Sequence, residues 1–361
     1  MTASPPGPGR GAPWGLAVVL THLAGRPGLL LVGLVLLAYG ALALAPFRWA
    51  PPRRLENAAT AGLDGGLRFP AAGLARSASP PGWLERAAAL GALRLELRVR
   101  TYALEQGGPA RIFTVSRDLH LANLTVGQEG RDLVLRLRRP GSTPNGKPAY
   151  RVPGVLADTG WHAVDVAIVP GNLRVLVDGA LALDTPLPER PLAGWNPGHR
   201  VALGSELNGL RRWRGEVARA VVEVDGDRVD YASRGNVELP RTFWSFANPP
   251  RWLVPDELDR SAIADWGANF AAFGLLGFLL GALGGTRGSW RRALIVCAVA
   301  SLVVEVAQGF FSRHPDSIDW ALNTLGGGTG AGIARWLVGR GRGVASGCGG
   351  LVMPEPRRQG P

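Results

Sequence analysis

Residues 28–45 read GLLLVGLVLLAYGALALA, an apolar run without a single charged side chain. At about 1.5 Å of rise per helical residue, such a run covers a hydrocarbon layer of about 30 Å, so the sequence predicts a spanning helix over residues 28–46. A cleaved signal peptide is the competing reading, because Ala43-Leu44-Ala45 resembles a cleavage site, although the run is long and starts well into the chain. On its N-terminal side, Trp14 to Ala24 is too short to span, and residues 1–27 are expected to be a cytoplasmic or interfacial lead-in.

Three further apolar segments follow much later, Trp266 to Leu283, Ala293 to Phe311 and Trp320 to Leu337, the last of them rich in glycine. The expectation is therefore an α-helical membrane bundle of about four transmembrane helices, with the last three in residues 260–338. Arginines in the short connections set its direction. Arg10 and Arg26 precede the first segment, Arg287, Arg291 and Arg292 join the second to the third, and Arg340 and Arg342 follow the fourth. Cytoplasmic loops carry the excess of such residues, which puts both termini inside and the region from about Phe47 to Ile263, together with the loop Ser312 to Ile318, outside the cytoplasm.

The formal net charge of +12 comes almost wholly from arginine, Lys147 being the only lysine. These arginines are spread through every region with no basic helix of interleaved aromatics, so no nucleic-acid partner is expected. The two cysteines, Cys297 and Cys348, make no disulfide framework, and the chain has no metal-ligand motif; no metal and no cofactor are expected. Residues 339–361, rich in Gly, Arg and Pro and without periodicity, are expected to be a disordered cytoplasmic tail.

Between the first and second apolar segments the pattern changes to short alternating stretches separated by Gly, Pro, Asn and Asp. In Leu93-Arg94-Leu95-Glu96-Leu97-Arg98-Val99-Arg100 every second residue is apolar, so one face packs while the other stays wet. The alternation returns in Leu133 to Arg138, Val164 to Ile168, Leu173 to Val177 and Val217 to Val224, which predicts an inserted all-β antiparallel jelly-roll sandwich over residues 60–235. The fold class is thus multidomain, with the sandwich tethered by Pro46 to Arg54 and Asn248 to Leu253.

Gly108-Pro109-Ala110-Arg111-Ile112, Asn123-Leu124-Thr125-Val126-Gly127-Gln128, Trp161-His162, Val175-Leu176-Val177-Asp178-Gly179, Leu203-Gly204-Ser205-Glu206 and Trp213-Arg214-Gly215-Glu216 resemble the laminin-G-like branch of the concanavalin A-like sandwiches, over roughly Leu67 to Asp230. The resemblance implies binding of glycans or proteins, with Trp161, Trp195 and Trp213 as candidate glycan-contact aromatics beside Trp83; burial is the commoner fate of tryptophan in a sandwich. Some relatives are glucanases with a Glu-x-Asp-x-Glu arrangement on one strand. The nearest run here is Glu223-Val224-Asp225-Gly226-Asp227, where Asp225-Gly226 is a hairpin signal that would end the strand and splay the acids into solvent.

Polar residues inside or beside the last three apolar segments are the main functional clue, since such groups are expensive in lipid and face a bundle interior or a wet cavity. Glu305 and Gln308 share one helix face, and Glu305, six residues before Phe311, lies about 9 Å below the outer end. Arg313, His314, Asp316, Asp319 and Asn323 follow, and the stripe continues into Gly326, Gly327 and Gly330, a spacing that lets helix backbones approach. Asp265, Asn269, Phe273 and Gly277 repeat every fourth residue on the preceding segment.

The series Glu305-x-x-Gln308, Arg313-x-x-Asp316-x-x-Asp319-x-x-x-Asn323-x-x-Gly326, preceded by Asp265-x-x-x-Asn269, resembles the VanZ-like family of bacterial membrane proteins, and the large insertion departs from that family's usual compact form. The family includes proteins linked to low-level teicoplanin resistance, so the resemblance implies a link to glycopeptide antibiotic tolerance, while the family's general activity is not established. Three readings of the cluster stand side by side. It locks the helices by hydrogen bonds and an ion pair; or it belongs to a binding protein in the bacterial inner membrane, with Arg313 on an anionic or phosphate-bearing headgroup and the sandwich on an envelope glycan, lipid-linked precursor or surface protein; or it serves a membrane-embedded enzyme acting on an envelope lipid or glycan, with Glu305 or Asp319 as general acid or base.

Overall fold

The computed structural model describes residues 26–62, 65–246, 260–284, 289–311 and 314–347. Contacts divide the chain into two units, Pro51–Ala247 and Met1–Ala50 with Asn248–Pro361. Strands and helices are numbered along the chain.

The first unit is a two-sheet sandwich. Its larger sheet runs β12 (Ala180–Pro186), β11 (Asn172–Val177), β10 (His162–Val169), β5 (Leu93–Thr101), β14 (Gly215–Val224), β3 (Leu67–Phe69), β2 (Thr60–Ala61), with β15 (Asp227–Asp230) paired to β14. The smaller runs β4 (Ala75–Arg76), β13 (Arg200–Leu203), β6 (Gln106–Ser116), β7 (Ala122–Gly130), β8 (Asp132–Leu137), β9 (Tyr150–Val152). All the pairings are antiparallel. Alternation does the work it promises: Leu93, Leu95, Leu97 and Val99 of β5 enter the core with Leu133, Leu135 and Leu137 of β8, while Arg94 and Arg98 face solvent.

Two features depart from the expected all-β domain over 60–235. First, β1 (Arg53–Glu56) and β16 (Thr242–Ser245) lie outside those bounds and pair antiparallel with each other, Arg53 opposite Ser245 and Glu56 opposite Thr242. Second, Trp83–Leu90 is a helix, α2, because good helix formers follow Pro80-Pro81 and place Trp83, Leu84 and Ala87 on one buried stripe; it stops at Gly91, whose φ of 67° needs no Cβ and whose N–H caps Ala87 O. Asp225 (φ 54°) and Gly226 (φ 80°) form the two-residue turn between β14 and β15, so Asp225 and Asp227 are splayed into solvent as the hairpin signal predicts.

The second unit holds α1 (Arg26–Leu44), α3 (Arg260–Gly284), α4 (Ser289–Gln308) and α5 (Ser317–Gly347). Within it α3 and α5 approach backbone to backbone. A Cβ on Gly277 would land on the carbonyl of Gly327, one on Gly330 on the carbonyl of Gly274, and one on Gly326 on the carbonyl of Phe270. The glycine stripe is thus the crossing itself. The helix α5 runs on to Gly347, into the stretch 339–361 expected to be disordered; once nucleated, a helix extends at little cost, and no proline intervenes before Pro354.

Polarity in this unit is inverted relative to the sandwich. Leu30, Leu34, Leu37 and Leu42 of α1 and Ile295, Val299, Leu302, Val303 and Val306 of α4 are exposed, whereas Ser301, Glu305, Gln308 and Asn323 are buried. Two of the described helices, Arg26–Leu44 and Ile263–Leu283, are long and apolar enough to cross a membrane, with mean hydropathies of 2.2 and 1.6. Arg291, Arg292 and Glu305 in α4, and the glycines of α5, keep those two helices below that measure.

Candidate functional site

The helix pair α4 and α5 brings several of the expected polar residues together. Asp316 precedes α5, where its Oδ1 accepts the Ile318 N–H at 2.8 Å and so caps the helix. Its own N–H is donated to Glu305 Oε2 at 2.7 Å, which ties the end of α4 to the start of α5. One turn past Asp319, Asn323 is fully buried and donates from Nδ2 to Ser301 Oγ at 2.9 Å and to Tyr39 Oη at 3.1 Å, joining α4, α5 and α1; Asn323 Oδ1 has no hydrogen-bond partner among the described residues. Gln308 reaches the first helix too, its Nε2 donating to Ala43 O at 3.3 Å.

Other members stand apart. Arg313 lies outside the described residues, and His314 and Asp319 are half-buried. Asp265 is exposed and Asn269 half-buried, and among the described residues no hydrogen bond joins either to Glu305, Gln308 or Asn323. Their stripe becomes an interface only further along α3, at buried Phe273 and at Gly277. Just past the C-terminal end of α4, Trp49 stacks on Phe310 with centroids 5.7 Å apart and meets Phe311 edge-on at 5.3 Å.

In the sandwich, two of the three candidate sugar platforms are core residues. Trp213 is wholly buried, its indole N–H donated to Gln128 Oε1 at 2.9 Å, and Trp195 is 6% exposed and donates to Arg138 O at 3.0 Å. Both packed inward because an indole satisfied at its one donor is worth more buried than wet. Trp161 is half-buried, and its ring is occupied by Arg100 at 4.8 Å and Arg98 at 5.5 Å. Beside it, burial would raise the Glu216 carboxyl, but hydrogen bonds from Arg100, Arg68 and Tyr102 outweigh it and hold Glu216 below the usual carboxylate range.

Sequence reasoning missed the buried polar interior of the sandwich, although its residues lie in the very segments that carried the resemblance. Gln128 Oε1 also accepts from Thr101 Oγ1 at 2.8 Å and Gln106 Nε2 at 2.9 Å, so one amide gathers three strands. Arg111 and Glu206, 1% and 0% exposed at the side chain, are paired Nε to Oε2 at 2.9 Å, and Glu206 Oε1 takes the hydroxyl of Ser116 and the Leu207 N–H at 3.2 Å. A lone Arg in an otherwise apolar strand, Ala110-Arg111-Ile112-Phe113, was the available signal: it must find a carboxylate inside.

His199 is buried too, and its Nδ1 has no partner among the described residues. Burial foremost, then the charge of Arg138, pushes it from 6.5 down to about 4. The neutral ring is therefore the folded form, and its contribution to stability is whole above pH 6.5 and lost as pH falls from 6.5 toward 4, on the order of 3 kcal/mol across that window. We expect His199→Gln to flatten that acid limb in pH-dependent unfolding of the sandwich; an unchanged limb would assign it to other groups.

Among known proteins, no curated sequence matches the chain. The binding domain of botulinum neurotoxin DC in complex with rat synaptotagmin II is 12% identical with a TM-score of 0.31, over 50% of this chain and 44% of that one. Mouse laminin alpha1 chain domains LG4-5 give 15% and 0.34, over 55% and 50%, and the Ruminococcus gnavus IT-sialidase CBM40 bound to alpha2,3 sialyllactose gives 11% and 0.33, over 50% and 94%. The chain thus spans less than half the length of the first of these. Residues 226–338, the stretch that contains α3, α4 and most of α5, match the VanZ/LLP1 family model.

Proposed function

We propose that the chain is an integral membrane protein whose four long helices cross a bacterial cytoplasmic membrane and hold the sandwich outside the cytoplasm, where it recognises an envelope component: a glycan, a lipid headgroup or a surface protein. The carrying observation is the inverted polarity of the helical unit, with Leu34, Leu37, Val299 and Val303 outside and Glu305, Gln308 and Asn323 inside. In water that exterior is an association liability; in hydrocarbon it is the ordinary surface of a helix bundle, and the buried polar groups hold the helices to one another. The arginines at the helix ends support cytoplasmic termini. The similarity of residues 226–338 to VanZ/LLP1 agrees with this reading, and a link to glycopeptide tolerance rests on that similarity alone. Arg313, in the connection from α4 to α5, is assigned an anionic or phosphate-bearing headgroup. Glu305 accepts a backbone N–H of the same connection, which favours a holding role over general acid–base work.

A photo-crosslinking side chain at Ile318, used in native membranes, tests the recognition. The wild type is expected to capture an envelope lipid or glycan that Arg313→Ala does not, and identical bulk-lipid patterns in both would overturn it. A thiol at exposed Asp225 is expected to react with a membrane-impermeant maleimide on intact cells; labelling only after lysis would overturn the orientation.

A further inference from the structure

Arg136 occupies an unusual place in the smaller sheet. Leu135 and Leu137 on either side of it enter the core, so Arg136 lies on the sheet's other face. By register it sits opposite Thr125 of β7, which in turn sits opposite Thr114 of β6, and the two threonine hydroxyls are 3.3 Å apart. The Arg136 residue is half-buried, and its Nε is buried without a hydrogen-bond partner among the described residues. A guanidinium presents five donors and never gives up its charge at ordinary pH, so it is the side chain least suited to being left without an acceptor.

The surroundings sharpen the imbalance. Arg111 lies on the next strand but one, and the Arg111 N–H is donated to the carbonyl of Arg211 at 2.8 Å. Arg211 is exposed and holds a left-handed backbone, φ 54°, with its Nη1 donating to Gly108 O at 2.6 Å. Burial first, then the charges of Arg111 and Arg211, lowers the proton affinity of Arg136 below the usual arginine value. One carboxylate, Glu206, is buried beside them, and it is spent on Arg111, Ser116 and the Leu207 N–H. Glu129, the acid whose charge favours Arg136, is itself paired with Arg151.

We propose that this face of the six-stranded sheet is an oxyanion site centred on Arg136, with Arg211 at its rim, that takes the carboxylate or phosphate group of an acidic saccharide. Two parallel N–H groups of a guanidinium match two oxygens of either anion, and an anion there offsets the mutual repulsion of the arginines. Arg111, fixed by Glu206, is a positioning residue that adds field rather than contact. The proposal names the ligand chemistry of the sandwich within the envelope-recognition reading, and rests on that reading only for the saccharide part.

The test is calorimetric titration of the full-length protein in zwitterionic-lipid nanodiscs with glucuronate, glucose 6-phosphate, inorganic phosphate and glucose. Binding of both sugar acids, weakened at least tenfold by Arg136→Gln, several-fold by exposed Arg211→Ala and progressively by salt, is the expected result, with glucose silent. Hydrogen exchange in β6 and β8 of each variant confirms that the sheet is intact. Equal binding of glucose and the acids, or acid binding indifferent to Arg136→Gln and Arg211→Ala in intact sheets, overturns it. Inorganic phosphate binding as tightly as glucose 6-phosphate overturns the saccharide part and leaves a bare anion site. These results are independent of crosslinking at Ile318, so a failed envelope capture with sound anion binding would sink the first reading and spare this one.

Discussion

Gly277→Leu abolishes assembly of the helical unit. A leucine at this position drives its Cβ onto the Gly327 carbonyl, an atom of the α5 backbone that cannot swing aside as a flexible side chain would. Insertion of even a few carbons into a packed interface costs about 1–3 kcal/mol, and a backbone collision at the tightest point of a crossing exceeds that range. Gly330→Val, whose Cβ meets the Gly274 carbonyl from the opposite helix, behaves alike. Gly33→Ala and Gly332→Ala are the matched controls, since a Cβ there has nothing within 4 Å, and they are expected to be neutral or to gain up to about 1 kcal/mol of helix propensity. Limited proteolysis in detergent reads the difference: α3 and α5 resist cleavage in the controls and not in the crossing variants. Equal resistance in both sets would mean that the helices do not cross on glycine.

Arg111→Met loosens the whole sandwich. Removing one partner of an ion pair that is 1% and 0% exposed leaves Glu206 charged and uncompensated, a loss of about 3–5 kcal/mol. Hydrogen exchange of the β6 amides in the full chain is expected to speed up about a hundredfold or more. The double variant Arg111→Met with Glu206→Leu recovers part of the loss, because no charge is then left behind, but not all of it: Ser116 and the Leu207 N–H lose their acceptor. If the two single variants and the double cost the same, the coupling energy equals the whole cost of either single change, and the charge left behind by a single variant carries no penalty of its own, contrary to the expectation.

These two sites differ in how far the sequence discloses them. The glycine stripe is periodic, Gly326, Gly327 and Gly330 against Gly274, Gly277 and Gly281, and a period shows in one dimension. The same holds for β5, whose alternation can be read residue by residue, and for the spacing of Glu305 and Gln308, both of which are buried. Arg111 and Glu206 are far apart in sequence, and their pairing depends on β13 lying beside β6, a consequence of sheet order that no local pattern encodes. Trp213 shows the same limit from the other side. Its residue type suits a sugar platform as well as a core, and only the position of Gln128 across the sandwich decides for the core. On α3, Asp265 and Asn269 keep helical register with Phe273 and Gly277 but outrun the zone of close approach, so period without depth overstates a cluster.

The antiparallel pair β1 and β16 sets the first and last strands of the sandwich side by side, Arg53 opposite Ser245. Partners in such a ladder are separated by about 5 Å, so everything between Arg53 and Ser245 leaves and rejoins the polypeptide at nearly one point. The sandwich is in this sense a portable cassette: with its two ends side by side, a chain can acquire it, discard it or exchange it in one genetic event, a short splice closing the gap.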